Sequence, residues 1–388
     1  MAGKQNNKMR RKISSTVQFA SCIIAITMLF NVLTVLKSAG PANFLKYAIS
    51  FVLSILVFVL TCRKPKDYKA VAIICVVATV IWGIQMFMSI AWSKPTSYSL
   101  TSMTIVFFNI FLTYVIFKVK VDVRPIKFAY YVIASYFLYQ LLVAGVTSED
   151  LFFESSGALL GAMIVNLAVL ISYLDYRDYK RMQVFPWVIA VVLSALSLSR
   201  TALLCAALAF VGFLYFKIKL INTKFVRYFL FIVVLASLGS FVYIFWDYFM
   251  YMEIAARFQD ESLDLNGRDE IWSAYFEDFD LNTILIGRSI DENNTLAGFD
   301  NPHNSYIRFH SSWGFFSIIG VLFILYCLIK LLVRKKFYYA FFCLIVLAIG
   351  FSNIVFFFGF YDYILYALVL EGLNKIEPQM AFNHKRVM

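Results

Sequence analysis

Two of the three histidines of this 388-residue chain, His303 and His310, fall in one stretch, NPHNSYIRFHSSWG (301–314), with Arg308 between them. A neutral imidazole is suited to general-base work near neutral pH. His303 follows Asn301-Pro302 and precedes Asn304, so it belongs to a turn, as a candidate base or as a hydrogen-bonded turn histidine. His310 lies two helical turns further on and reads as part of a cavity wall. Arginines supply the complementary charge. Arg268, in NGRDEIW, heads a helix whose free backbone N–H groups make an anion site with it, or else it pairs with Asp269 or Glu270. Arg200, in SLSRTALL, marks the junction of two apolar runs. Arg288 follows ILIG, and Arg257 reads as a plain loop residue. From Asp247 to Arg308 there are thirteen acids and four bases, and all four bases are arginine. Guanidinium is planar, always charged and suited to bidentate contact with phosphate, unlike ammonium. Such a set suits the leaving charge of a lipid-linked pyrophosphate, with an imidazole beside it for the attacking group.

The elements that must position these residues are membrane spans. The chain is 61% hydrophobic and 15% charged, against about 45–50% and about 25% in soluble domains. A span takes about 20 apolar residues. That window predicts twelve: 17–36, 43–62, 70–92, 98–117, 126–146, 156–174, 184–199, 201–221, 228–249, 306–332, 337–357 and 360–373. The domain organisation is therefore a cytoplasmic N-terminus (1–16), a nine-span bundle (17–249), a large extracytoplasmic loop (250–305), the C-terminal spans (306–373) and a cytoplasmic tail (374–388). The first apolar run is too long for a cleaved signal peptide. With both termini inside, the inner segments hold 27 of the 35 lysines and arginines, a strong positive-inside bias. The net charge of +12 is thus topological and gives no reason to expect nucleic acid. The six cysteines form neither CxxC nor a Cys/His cluster, which points away from a metal site and a disulfide framework.

A loop as long as 250–305 calls for a fold of its own or a function. EIWSAYFEDF (270–279) sets Ile271, Trp272, Tyr275, Phe276 and Phe279 on one helical face, so the loop is expected to fold over the outer mouth of the bundle. The spans are nearly free of mid-membrane acids, with Asp247, Asp362 and Glu371 assigned to span ends. This counts against a proton-coupled transporter. Asn31, Asn109, Gln140, Asn166 and Asn353 read as hydrogen-bonding groups between helices.

Together these residues resemble the O-antigen ligase and polymerase superfamily, the WaaL and Wzy proteins. The resemblance rests on the long outer loop before the last spans, on Ser199-Arg200, and on Gly267-Arg268 followed by Ile271-Trp272. It rests also on His303-Asn304 followed after nine residues by Gly314. Ser317 stands where the ligase pattern has its second glycine, and the next glycine is Gly320, a departure that favours polymerase over ligase. The resemblance implies an all-α polytopic glycosyltransferase of GT-C-like fold in the bacterial cytoplasmic membrane, inverting, and needing neither cofactor nor metal. Its substrates would be undecaprenyl-pyrophosphate-linked glycans, and its partners a chain-length regulator and a flippase. It further implies a catalytic set of His303, Arg268 and Arg200. Arg288, Asn304, Tyr306, Arg308, Asp269 and Glu270 would bind substrate, with Asp269 and Glu270 as rival bases. Two other functions remain open: a ligase acting on a terminal acceptor, and a flippase binding the same pyrophosphate.

Overall fold

A computed structural model describes residues 14–36, 44–91, 100–152, 158–219, 223–229, 268–277, 279–288, 302–353 and 359–374, together with 221, 232 and 357. Eight helices come first: α1 (Ser15–Val35), α2 (Phe44–Thr61), α3 (Pro65–Ala91), α4 (Leu100–Lys118), α5 (Val123–Leu142), α6 (Ala158–Tyr179), α7 (Phe185–Leu196) and α8 (Arg200–Lys219). They coincide with the first eight expected spans. The ninth, 228–249, lies almost wholly outside the described residues, as does most of 250–305. After it come α9 (Arg268–Phe276), α10 (Leu281–Ile286), α11 (Ser305–Trp313), α12 (Phe315–Val333), α13 (Phe337–Ser352) and α14 (Asp362–Leu370). The described residues contain no strand, only an isolated bridge between Leu36 and Phe152. Among the described residues six helices are long and apolar enough to cross a membrane: α1, α2, α3, α6, α8 and α12.

α6 forms the centre. Every residue from Leu160 to Asp175 is buried, as expected of a helix that is apolar all round. It packs against α5, α7, α8, α13 and α14. Trp187 of α7 stacks on Phe342 of α13 at 5.2 Å and donates its Nε1–H to Ser172 of α6 at 2.9 Å. α3 is the opposite case. Its buried residues Val71, Ala78 and Gln85 recur every seventh position, and most of the helix is exposed apolar surface, as for a helix bathed in lipid.

The two ends of the bundle differ chemically. One carries the basic loops and a buried belt of ion pairs: Lys127 with Asp175 at 2.6 Å, Arg177 with Asp178 at 2.7 Å and Lys336 with Glu371 at 3.5 Å. Tyr173 donates to Glu371 at 3.1 Å, and Arg334 donates to the carbonyl of Gly372 at 2.8 Å. This belt fastens the end of α14 to α6 and α13. The other end carries the starts of α8 and α11. Ala202 of α8 meets Gly161 near the start of α6 there.

Two departures from continuous spans shape that second end and the middle of the bundle. The expected span 306–332 is two helices, broken at Gly314, whose φ is +45°. Only glycine takes such a backbone without strain. Gly314 also lies so close to the carbonyl of Leu285 that a Cβ would collide with it, and Gly287 (φ +90°) makes the reciprocal approach to Ser311. The second departure is α14. The expected span 360–373 is a helix of nine residues, about 13 Å long. Asn109, nine residues into α4, accepts from the backbone N–H of Tyr363 and donates to the carbonyl of Gly359, both at 2.9 Å. The start of α14 therefore lies halfway down α4, about 13 Å below its first residue. This corrects the placement of Asp362: it heads α14 in the middle of the bundle, not at a membrane boundary.

Replacing Gly314 by alanine is expected to lower stability by at least about 1–3 kcal/mol from backbone strain alone. Thermal unfolding in detergent reads this against Gly83→Ala, a site with open space around it, which should leave the midpoint unchanged.

Candidate active site at the loop end

α9 and α10, the described part of the large loop, are bound to α11 by side chains. Trp272 Nε1 donates to the carbonyl of Pro302 at 3.1 Å, and its ring packs edge-on against Phe351 of α13 at 5.2 Å. One turn on, Tyr275 meets His310 Nδ1 at 2.7 Å, while His310 Nε2 lies 3.3 Å from the carbonyl of Ile284. A carbonyl only accepts, so Nε2 carries the proton, and the neutral ring accepts at Nδ1 from the phenol of Tyr275. Ile271, Tyr275 and Ile307 form a small core with Trp272 and Phe279 packed on it. Of the expected apolar face, Phe276 is exposed, because α9 ends there and the chain turns away. Arg288 closes that end: its Nη1 donates to the carbonyls of Ala274, Tyr275 and Glu277 at 3.2, 3.2 and 2.7 Å. A guanidinium at a helix C-terminus satisfies carbonyls that have no partner within the helix.

The residues expected to bind substrate divide into scaffold and surface. His303 is half-buried, with φ at +46°, in the turn between Pro302 and α11. Asn304 is buried and caps α11, accepting from the N–H groups of Tyr306 at 2.8 Å and Ile307 at 3.1 Å. Ser305 donates to the carbonyl of Asn353 at 2.6 Å, and Tyr306 to that of Leu347 at 2.9 Å. Asn304, Tyr306 and Arg288 thus hold the turn and the helices around His303. Arg308 is half-buried on α11, close enough to Tyr47 of α2 for its charge to act on that phenol. Arg268 and Asp269 lie in the first turn of α9; their side chains fall outside the described set. Glu270 beside them is exposed. The Trp272–Pro302 bond brings that first turn to the His303 turn. Arg200 opens α8 at the same end of the bundle and is half-buried. The tight junction before it uses Leu198, at φ +54°, where a glycine would be usual, and the Ser199 hydroxyl caps the helix by accepting from Ala202 at 3.4 Å. α13 packs against both α8, which Arg200 opens, and α11, which follows the His303 turn. Arg257 lies outside the described residues.

Two groups passed over in the sequence matter here. Gln85 of α3 is fully buried and donates to Trp313 O at 2.7 Å and Leu285 O at 3.3 Å, fastening α3 to the ends of α11 and α10. Its signal was a lone amide in an apolar run. The other is a cavity of about 400 Å³ beneath α11. Phe309 and Trp313 roof it, α4 and α14 form its inner wall, and Ile74 and Phe323, both exposed, stand at its open side. Its lining is nearly all apolar, with Asp362 and Tyr366 on the inner wall. Among the described residues no three His, Cys, Asp or Glu side chains converge as metal ligands would.

No protein-family model matches the chain, and no curated protein is similar to it at a significant level.

Burial among Tyr275, Phe279 and the backbone pushes the His310 pKa below the ordinary value of 6.5, against the pull of the Ile284 carbonyl. The sign follows: below about pH 6.5 the released imidazole takes up a proton that the docked one resists, so docking of α9 and α10 weakens as pH falls. Limited proteolysis of the 268–288 segment is expected to accelerate from pH 7.5 to 5.5, with a flatter profile in His310→Asn.

Proposed function

We propose that the chain is a glycosyltransferase that polymerises undecaprenyl-pyrophosphate-linked repeat units into O-antigen, capsular or exopolysaccharide on the outer face of the bacterial cytoplasmic membrane. The observation that carries this reading is the hydrogen bond from Trp272 to the Pro302 carbonyl. It joins Gly267-Arg268…Ile271-Trp272 to His303-Asn304, the two halves of the resemblance, which stand some thirty residues apart in the chain. In this reading the first turn of α9, proposed to bind the anion, and the candidate base share one corner of the bundle. The apolar cavity beneath α11, with exposed Ile74 and Phe323 at its edge, suits a substrate delivered on a lipid.

In this reading His303 takes the proton from an acceptor hydroxyl as that oxygen attacks the anomeric carbon. The bond to the pyrophosphate oxygen breaks on the opposite face, so configuration inverts. Arg268 and Arg200 offset the charge growing on the leaving pyrophosphate, the kind of preorganised electrostatic effect that dominates many such reactions. Arg288 contributes by holding the end of α9, and Asn304 by fixing the turn that presents His303. Metal-free chemistry is part of the proposal.

One observation favours a second reading. Asp362 at the head of a half-length helix in the middle of the bundle is an arrangement also used by transporters of ions and anionic substrates. A transporter of lipid-linked sugars would need a polar path for the headgroup, whereas the cavity next to Asp362 is apolar.

Purified protein in lipid nanodiscs, given a lipid-pyrophosphate repeat unit, should build a ladder of longer glycans, and EDTA should leave the rate unchanged. His303→Asn keeps a residue tolerant of positive φ and should slow elongation by about 10²-fold or more. Arg268→Ala and Arg200→Ala should each cost about 10²–10³-fold. Product formed only when a non-repeat acceptor is supplied would make the protein a ligase. Movement of a labelled lipid across vesicles without elongation would make it a transporter. Unchanged chain length in both His303→Asn and Arg268→Ala would remove the site.

A further inference from the structure

The cavity beneath α11 is deep as well as apolar. Along α4 its wall runs from Val106 to Tyr114, from about 9 Å to about 21 Å below the first residue of that helix. Along α14 it runs from Asp362 to Leu370, the whole of the helix. At its lower end Tyr114 donates to Asp67 at 2.7 Å, tying the first turn of α3 to α4. Its upper rim is Phe309 and Trp313, on the helix whose first turn carries Asn304 and adjoins His303. A molecule whose polar head is held at the His303 turn reaches this cavity only with a long apolar tail. A short tail ends above the rim.

We propose that this cavity gauges the length of the substrate's polyprenyl tail, a proposal that rests on reading the chain as acting on lipid-linked glycans. The head-proximal part of the tail descends past Phe309 and Trp313. The distal part lies between α3 and α12, against Ile110, Phe323 and Tyr366. Bilayer hydrocarbon is already apolar, so moving a tail into the cavity gains nothing from leaving water. The gain comes from close packing against fixed aromatic and branched side chains, which accumulates atom by atom. Affinity therefore grows with the length of tail below the rim and is nearly independent of the length above it. The tied lower end and the roof leave the side beside Ile74 and Phe323 as the entrance, and the roof is continuous with the corner that would hold the head.

The test measures binding to the full chain in nanodiscs with no glycan present, at equal mole fractions of probe in the bilayer. Geranyl, geranylgeranyl and undecaprenyl phosphate are compared by competition and by native mass spectrometry. Undecaprenyl phosphate is expected to bind at least about tenfold more tightly than geranyl phosphate. Ile110→Trp, which fills the cavity, should abolish that gain and leave geranyl phosphate binding unchanged. Ile74→Trp, at the open side where a large apolar side chain faces lipid, should reduce the gain in a protein with an unaltered unfolding midpoint. Equal affinities along the series in the wild type overturn the proposal, as does a loss of all three probes together in either variant. Retention of a bilayer phospholipid that Ile110→Trp releases, with no length dependence among the polyprenyl phosphates, also overturns it and assigns the cavity to ordinary acyl chains. Binding and catalysis fail separately: a protein that shows the length dependence but elongates nothing refutes the polymerase reading alone.

Discussion

Backbone polar groups in a bilayer have no water to turn to, so each must find a partner within the protein. In this chain two side-chain amides meet that requirement at the points where the helices break. Asn109 supplies the acceptor for the first turn of α14 and a donor for the irregular chain just before it. Gln85 supplies donors for the carbonyls left over where α10 and α11 end. Without the first, a helix could not begin halfway down the bundle. Without the second, α11 could not stop at Trp313 and let α12 start in a new direction. The cavity exists because of both breaks, since its inner wall includes the half-length helix and its roof is α11. Gln85 leaves its own Oε1 buried with no partner among the described residues, a cost of about 1–3 kcal/mol that the two carbonyl bonds and the glycine contact must offset.

The two ends of the molecule are held by different physics. At the basic end, charges are buried in pairs, and the end of α14 is fixed by Glu371, Lys336 and Arg334. Pairs of this kind are weak sources of net stability, yet removing one partner strands the other, which is costly. At the loop end the fastening is largely neutral: a phenol, an imidazole, the indole of Trp272 and a pair of glycines in backbone contact. Neutral hydrogen bonds and ring contacts can be undone at lower cost than buried charge pairs, so the loop end is the one that opens more readily.

Much of the fold was legible because composition alone marks a membrane span. The first eight runs became eight helices, with boundaries shifted by a few residues where caps intervene, as at Pro65. The breaks were not legible, because hydropathy does not see φ. In SSWGFFSIIG the glycine at 314 looks like any glycine in an apolar helix, and what sets it apart is the carbonyl of Leu285, far away in sequence. Asp362 looked like a boundary residue because a span was assumed to run the full thickness. In the site, the turn nature of His303 and the helix start at Arg268 could be read from neighbouring residues. The duties of Arg288 and Asn304 could not. The preference for arginine over lysine in this loop pointed to phosphate, yet for Arg288 the guanidinium meets three peptide carbonyls at a helix end. Residue type shows what a group can do, and only the neighbours show which task it has.

The half-length helix also bears on how the topology of this chain is counted. α13 rises from the basic end, Gly359 stands at mid-depth beside Asn109, and α14 completes the descent to Glu371 and Lys336, so the pair returns to its starting side as two full spans would. By hydropathy, however, the second member amounts to half a crossing. A reporter or labelling site placed at Gly359, beside Asn109 halfway down α4, would sit neither in an outer loop nor in an inner one. Its signal would measure access to the interior of the bundle, and a topology map drawn from it would assign the last segments of the chain to the wrong side.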